Sequence, residues 1–265
     1  MASEQAKVKL HWLNGSRAQG ILFLFEQLQI PYELEIYHRN KDKLAPPELT
    51  KVHPLGKAPV VTITPESSDA DPIVLAETPF IVQYFSEHFP SGESLVPKRW
   101  KEGREGQVGG ETAEWMRYQY IMYYAEGSFM AQLVLYVFLS ALKGDAIPFF
   151  IRPISKLIAN QIISMFSFPT LKKHFTMLES YLATPPSDGA YLCGPKLTGA
   201  DIVLAFPLIS GLNGAFDNIG QWEKGSFAAT FPRLHAYMER LEKEPAWTRS
   251  AQKIRDIEGS FSVSA

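Results

Sequence analysis

The chain has 265 residues, 46% of them hydrophobic and 20% charged, an ordinary globular balance with room for one large core or two smaller ones. Lys and Arg number 26 against 28 Asp and Glu, so the net charge is −2. That leaves no bulk basic character of the kind nucleic-acid binding needs, and no nucleic-acid partner is expected.

The opening MASEQAKVKL has no apolar h-region of a secretory leader. Val8–Leu13 reads as a short strand, broken by Asn14-Gly15. Ser16 then starts a helical pattern, with Ile21, Leu22, Leu24, Phe25 and Leu28 at helical spacing until Pro31 ends it. Tyr32–Tyr37 alternates as a second strand, and β-α-β in this order favours a right-handed parallel crossover. Ala45–Lys51 reads as a helical turn or two started by prolines. Pro59–Thr64 and Ile73–Leu75 form a hairpin with a polar tip, and Thr78–His88 is the next helix. The order β-α-β-α-β-β-α gives a small mixed sheet with helices packed on it, a thioredoxin-like arrangement.

Phe89–Gly110 carries two prolines and five glycines among mixed charges and reads as an exposed linker. Beyond it no strand alternation returns. Helical patterns cover Thr112–Lys143, Phe149–Phe166, Leu171–Ala183, Thr198–Leu212, Pro232–Glu242 and Ala246–Ile257. The longest apolar run, Leu133–Leu142, falls short of the ~20 residues needed to span a bilayer. It reads as buried helix, and membrane association is not expected. The single cysteine, Cys193, excludes an intramolecular disulfide and fits a reducing compartment. The six histidines show no metal-ligand spacing, so no metal is expected.

Four constellations carry chemical content. Ser16, between strand and helix, is an N-cap candidate. Alternatively, its hydroxyl and the helix N-terminus stabilise a bound thiolate, and Asn14 could donate in the same way. Lys57-Ala58-Pro59 is an ordinary strand entry if the Ala58–Pro59 bond is trans. If it is cis, the Ala58 backbone turns outward to pair with an extended peptide, and Lys57 can meet a terminal carboxylate. Glu77-Thr78 opens a helix. Thr78 is a cap, or the helix N-terminus takes a carboxylate while Glu77 takes an ammonium, together an α-amino-acid head group. Thr198-Gly-Ala-Asp201 is a capping box before an apolar helix, expected to be the core of the helical domain.

Three further runs extend the pattern: HWLNGSRAQGILFLFEQLQIPYELEIY, then APPELTKVHPLGKAPVV, then LAETPFIVQYF. With YYAEGSF (Tyr123–Phe129) and LTGADIVLAFPL (Leu197–Leu208), they resemble the glutathione transferase family, in its fungal and bacterial group. The resemblance covers almost the whole chain. It implies a thioredoxin-like glutathione-binding domain over 1–88, a linker over 89–111 and an all-helical domain over 112–265 that holds the electrophile. Pro59 matches the family's cis-proline, and Ala58 the residue whose backbone pairs with the cysteinyl part of glutathione. Glu77 and Thr78 match the acid–hydroxyl pair on the γ-glutamyl group, and Lys57 a basic position near the glycyl carboxylate. The resemblance implies that Ser16, with Asn14 as the alternative, would contact the thiol.

The resemblance further implies a cytoplasmic, homodimeric enzyme with glutathione as co-substrate. It would conjugate electrophiles in detoxification, with peroxide reduction under oxidative stress as a side activity. The alternative is a glutathione-binding interaction module with little catalysis. Tyr118 and Tyr123 are the candidates for the electrophile pocket. The chain departs from the pattern at Ala58, where many relatives carry Val, at Thr78 in place of the commoner Ser, and at Gly20, where close relatives often have Arg.

Overall fold

Alternation along the first strand sets the sheet's two faces. Val8, Leu10 and Trp12 are buried, and their partners Ile63 and Val61, with Leu75 beyond, complete one apolar face. Lys9, His11, Glu33, Glu35 and Thr62 fall on the other. A computed structural model describes residues 6–65, 71–145 and 147–263, and the tip expected for the hairpin lies largely outside them.

The strands are β1 (Lys7–Leu13), β2 (Glu33–Tyr37), β3 (Val60–Thr64) and β4 (Ile73–Ala76). The helices are α1 (Ala18–Leu28), α2 (Thr78–His88), α3 (Ala113–Tyr124), α4 (Ala131–Ala141), α5 (Arg152–Ile162), α6 (Phe168–Ala183), α7 (Gly199–Ile209), α8 (Phe227–Thr230), α9 (Pro232–Lys243) and α10 (Pro245–Glu258). The sheet order is β2-β1-β3-β4, with β1 parallel to β2 and the other neighbours antiparallel. This is the expected thioredoxin-like sheet, except that the turn after β2 is a 3₁₀ segment, Pro47–Lys51. α1 stops at Leu28, ahead of Pro31, because Gln29 adopts the left-handed conformation (φ 55°) and its N–H closes onto Phe25 O. π-helical segments Ala125–Met130 and Ile163–Ser167 join α3 to α4 and α5 to α6; the first lies within the pattern expected over Thr112–Lys143, and the second runs the helices expected at Phe149–Phe166 and Leu171–Ala183 together through a wide turn.

The chain divides into two compact units. One comprises Met1–Lys98, Leu197–Ser210 and Arg240–Ala265; the other comprises Arg99–Lys196 and Gly211–Glu239. This differs from the division expected at 88 and 112. α7 and α10 pack on α1, and α7 also packs on α2, rather than forming the core of the helical domain. The reason lies in α7 itself. It is apolar on every side, with Ile202, Leu204 and Leu208 fully buried, so it must be enclosed. α1 offers the matching surface, because Ala18 through Phe25 are all buried. The capping box at its start is formed, with the Thr198 N–H and hydroxyl both donating to Asp201 Oδ2 at 2.8 and 2.7 Å.

The second unit is helical throughout its described elements and has an aromatic core. Phe175 is fully buried, with the rings of Phe216 and Phe227 each 4.9 Å away. Cys193 is buried and forms no disulfide. The expected linker holds a 3₁₀ segment, Pro90–Leu95, and then folds back on itself. Lys101 N–H donates to Gly110 O at 2.9 Å, and Gly103, Gly106 and Gly109 supply the positive φ angles its turns require.

Candidate functional site

Strand register brings the expected site residues to one end of the sheet. His11 pairs with Val60, and Val60 pairs with Ala76. Asn14 lies three residues beyond His11, Ala58 two before Val60, and Glu77 one after Ala76. Antiparallel pairing makes these three directions the same, so the Asn14 turn, the Lys57-Ala58-Pro59 entry and the Glu77-Thr78 helix start share that end.

The Ala58–Pro59 bond is cis. Ala58 precedes the strand, and no other described residue hydrogen-bonds its backbone. An unpaired N–H and C=O at a strand entry can accept an added extended segment. Lys57 beside it is exposed.

Glu77 has φ 71° and ψ 116°, a conformation L-residues seldom adopt and one that costs on the order of 1–3 kcal/mol. Its carbonyl accepts the first bond of α2, from Ile81 N–H at 3.0 Å. Thr78 and Phe80 N–H are among the helix's unpaired first donors, and Pro79 has none to offer. Thr78 does not act as a side-chain cap. Its Oγ1 is buried and has no partner among the described residues. A hydroxyl in that state is left available to a ligand or a water. Free N–H groups, a helix dipole and an orphan hydroxyl suit a carboxylate, and the exposed Glu77 carboxylate beside them suits an ammonium.

The thiol-contact candidates separate on geometry. Arg17, not Ser16, occupies the N-cap position of α1. The Ser16 hydroxyl accepts from Ala18 N–H at 3.2 Å and gives its only proton to Leu13 O at 2.7 Å. It is buried and committed within its own turn. Asn14 is different. Its Oδ1 accepts from Arg39 N–H at 2.8 Å, which fixes the orientation of the amide, because an N–H can bond only the oxygen end. Its Nδ2 meets no acceptor among the described residues, leaving two N–H donors available. Arg39 is a residue that sequence reasoning missed. No periodicity marks it, since its side-chain contacts to this turn are to backbone atoms 24 and 25 positions away.

Beneath this end a polar network ties β2, β1 and β3 together. Tyr37 OH donates to Glu35 at 2.5 Å, so its oxygen accepts from His11 Nδ1 at 3.1 Å, and His11 Nε2 takes the Thr62 hydroxyl at 2.9 Å. Burial holds His11 below its ordinary pKa, against the opposing pull of Glu35. Burial, followed by Glu35, holds Tyr37 well above its own. A shallow cleft of about 370 Å³ on this face is lined by Lys7, Thr64 and Val74 among others, toward the opposite end of the sheet from Asn14.

The remaining pair, Tyr118 and Tyr123, does not line one wall. Tyr118 is 2% exposed and Tyr123 75%. Five positions apart on α3, they project about 140° from each other. No group of three or more His, Cys, Asp or Glu among the described residues is placed to hold a metal ion.

Known proteins resemble this chain along its length. The family description "Glutathione S-transferase, N-terminal domain" matches residues 15–88, and "Glutathione S-transferase, C-terminal domain" matches 155–247. Glutathione S-transferase 1 of Saccharomyces cerevisiae is 30% identical over 256 residues, covering 96% of this chain and 98% of the yeast protein. Glutathione S-transferase 3 of Schizosaccharomyces pombe is 26% identical over 94% of this chain and 88% of its own length. Among solved structures, a glutathione S-transferase from Actinobacillus pleuropneumoniae superposes with a TM-score of 0.62 at 28% identity, covering 93% of this chain and 92% of that one. The chain belongs to the glutathione S-transferase family.

Proposed function

We propose that this glutathione transferase binds glutathione along the sheet end described above and activates its thiol through Asn14. The observation that carries the reading is the set of unpaired groups there: the Ala58 backbone, the buried Thr78 hydroxyl and the Asn14 amide N–H. The peptide's cysteinyl backbone pairs with Ala58. Its γ-glutamyl carboxylate meets Thr78 and the α2 N-terminus, its ammonium meets Glu77, and Lys57 faces the glycyl carboxylate. Asn14 Nδ2 donates to sulfur, which favours thiolate over thiol. The thiolate attacks an electrophilic carbon and expels the leaving group, or attacks a peroxide oxygen, breaking the O–O bond to release an alcohol and leave the sulfur as a sulfenic acid. The second substrate is held by the helical part of the chain.

Two independent losses are expected. Thr78→Val weakens glutathione binding about tenfold or more, the worth of one hydrogen bond to a charged group. Asn14→Ala lowers kcat with a chlorodinitrobenzene substrate and raises the pKa of the bound thiol, while Ser16→Ala does not raise that pKa. Titration calorimetry with glutathione and thiolate absorbance against pH measure both. A wild-type thiol pKa in Asn14→Ala sinks the assignment of the donor. Tight glutathione binding without turnover of either the aromatic substrate or cumene hydroperoxide identifies a binding module instead.

The working form is a cytoplasmic homodimer. Exposed apolar side chains on and between α4 and α5, among them Phe138, Phe149, Phe150, Leu157 and Ile158, support burial of that face against a second copy. No helix among the described residues is long and apolar enough to cross a membrane.

A further inference from the structure

Asn14 can donate to a thiol only if its amide is held with nitrogen outward and its turn is held in place. The structure shows what does both. The Arg39 backbone N–H takes Asn14 Oδ1 at 2.8 Å. The Arg39 guanidinium then spans the same turn, with Nε donating to Asn14 O at 3.1 Å and Nη2 to Gly15 O at 3.1 Å. Its third contact, Nη1 to Lys43 O at 2.9 Å, anchors it from the other side. Lys43 is itself fixed. Asn40 Oδ1 accepts the N–H groups of Asp42 and Leu44 at 2.9 Å each, Lys43 N–H returns to Asn40 O, and Asn40 N–H to Leu44 O.

Two features mark this as more than a surface contact. All three guanidinium acceptors are main-chain carbonyls, so the fork grips the backbone and carries no ion pair of its own. Gly15 sits at φ 55°, where the chain reverses between β1 and α1, so the two carbonyls that flank the reversal are the ones held.

We propose that Arg39 is the positioning residue of the thiol-activating turn: its backbone N–H sets the Asn14 amide with nitrogen outward, and its forked hydrogen bonds to Asn14 O and Gly15 O hold the turn so that this nitrogen faces the glutathione sulfur. Arg39 touches no substrate and acts through Asn14. The inference rests on the reading of Asn14 as the sulfur's donor.

The test compares Arg39→Met and Arg39→Lys with Asn14→Ala and with the Asn14→Ala/Arg39→Met double variant. Arg39→Met keeps the stem and removes the donors. Arg39→Lys keeps the charge and loses the fork. Both are expected to raise the bound thiol pKa by about one unit and to lower kcat about tenfold, with KM for glutathione little changed. In the Asn14→Ala background, Arg39→Met is expected to add nothing further, because the residue acts only through that side chain.

The possible failures are distinct. If Asn14→Ala leaves the thiol pKa unchanged, Asn14 is not the donor and both readings fall. If Asn14→Ala raises it while Arg39→Met does not, Asn14 stands and the role of Arg39 is overturned. Full retention of thiol pKa by Arg39→Lys assigns the effect to charge alone and also overturns the proposal. So does an additive loss in the double variant. Should Arg39→Met not fold, Arg39→Lys alone decides between the fork and the charge.

Discussion

Gln19 on α1 donates through Nε2 to Ser250 Oγ on α10 at 2.9 Å, across 231 positions of sequence. The same Gln19 accepts from Trp12 Nε1 at 3.1 Å, and Ser250 Oγ donates to Trp247 O at 2.7 Å. Every member of this chain is buried and paired, so it locks the last helix onto the first. Ser250→Ala leaves the Gln19 amide nitrogen buried without its partner. It is expected to destabilise by about 1–3 kcal/mol, read as a lower urea midpoint at unchanged m-value. An unchanged midpoint would falsify the role given to this contact.

Asp201 accepts two bonds from Thr198 and is fully buried. Asp201→Ala removes the acceptor for a buried N–H and a buried hydroxyl at the start of α7. A loss of about 2 kcal/mol is expected, at the upper end for a cap, because no water can replace the carboxylate. Since α7 packs on α1 and α2, near-ultraviolet dichroism of the sheet-bearing unit should melt with it. Independent melting of α7 would contradict that packing.

Stability should fall on mild acidification. An unfolded histidine titrates near 6.5, and burial holds the folded His11 lower. Between these values the unfolded chain binds more protons, so stability rises with pH across the window and is lost as pH drops through it. Protonating Nε2 also reverses the Thr62 bond, since that nitrogen now donates. His174, held down by burial beside Tyr124, contributes in the same window. The double variant His11→Gln/His174→Gln should show a flatter profile as the pH falls below about 6.5, followed by chemical denaturation at each pH. Glu26 and Glu35, both held below the ordinary carboxylate value, lose their contributions only at lower pH.

A charge placed on the exposed apolar face should separate the copies of the proposed dimer. Phe150 and Leu157 are 68% and 71% exposed, so neither is needed for the fold of one chain. Phe150→Glu/Leu157→Glu is expected to sediment as a monomer at concentrations where the parent is a dimer, with the thermal midpoint of the isolated chain unchanged. A dimer of unaltered affinity would place the interface elsewhere.

Much of the architecture was legible from the chain alone, because strand and helix periods are local. Thr78–His88 is a helix with those bounds, and the capping box at Thr198–Asp201 could be read from four residues. The gathering of the residues proposed to hold glutathione also followed from local order, since register carries Ala58 and Glu77 to one sheet end once the hairpin is paired. The partners of apolar surfaces were not legible. α7 reads as a core helix anywhere, and periodicity says only that it is enclosed, not by what. The hydrogen-bond commitments of the polar side chains were likewise hidden. Ser16 and Asn14 looked equivalent as donors. They separate only because Leu13 O takes the serine's one proton, and Arg39, from another strand's end, turns the asparagine's oxygen inward. Sequence thus determined which groups stand near the site. Tertiary structure decided which of them keeps a free proton, because that depends on neighbours that folding brings from far along the chain.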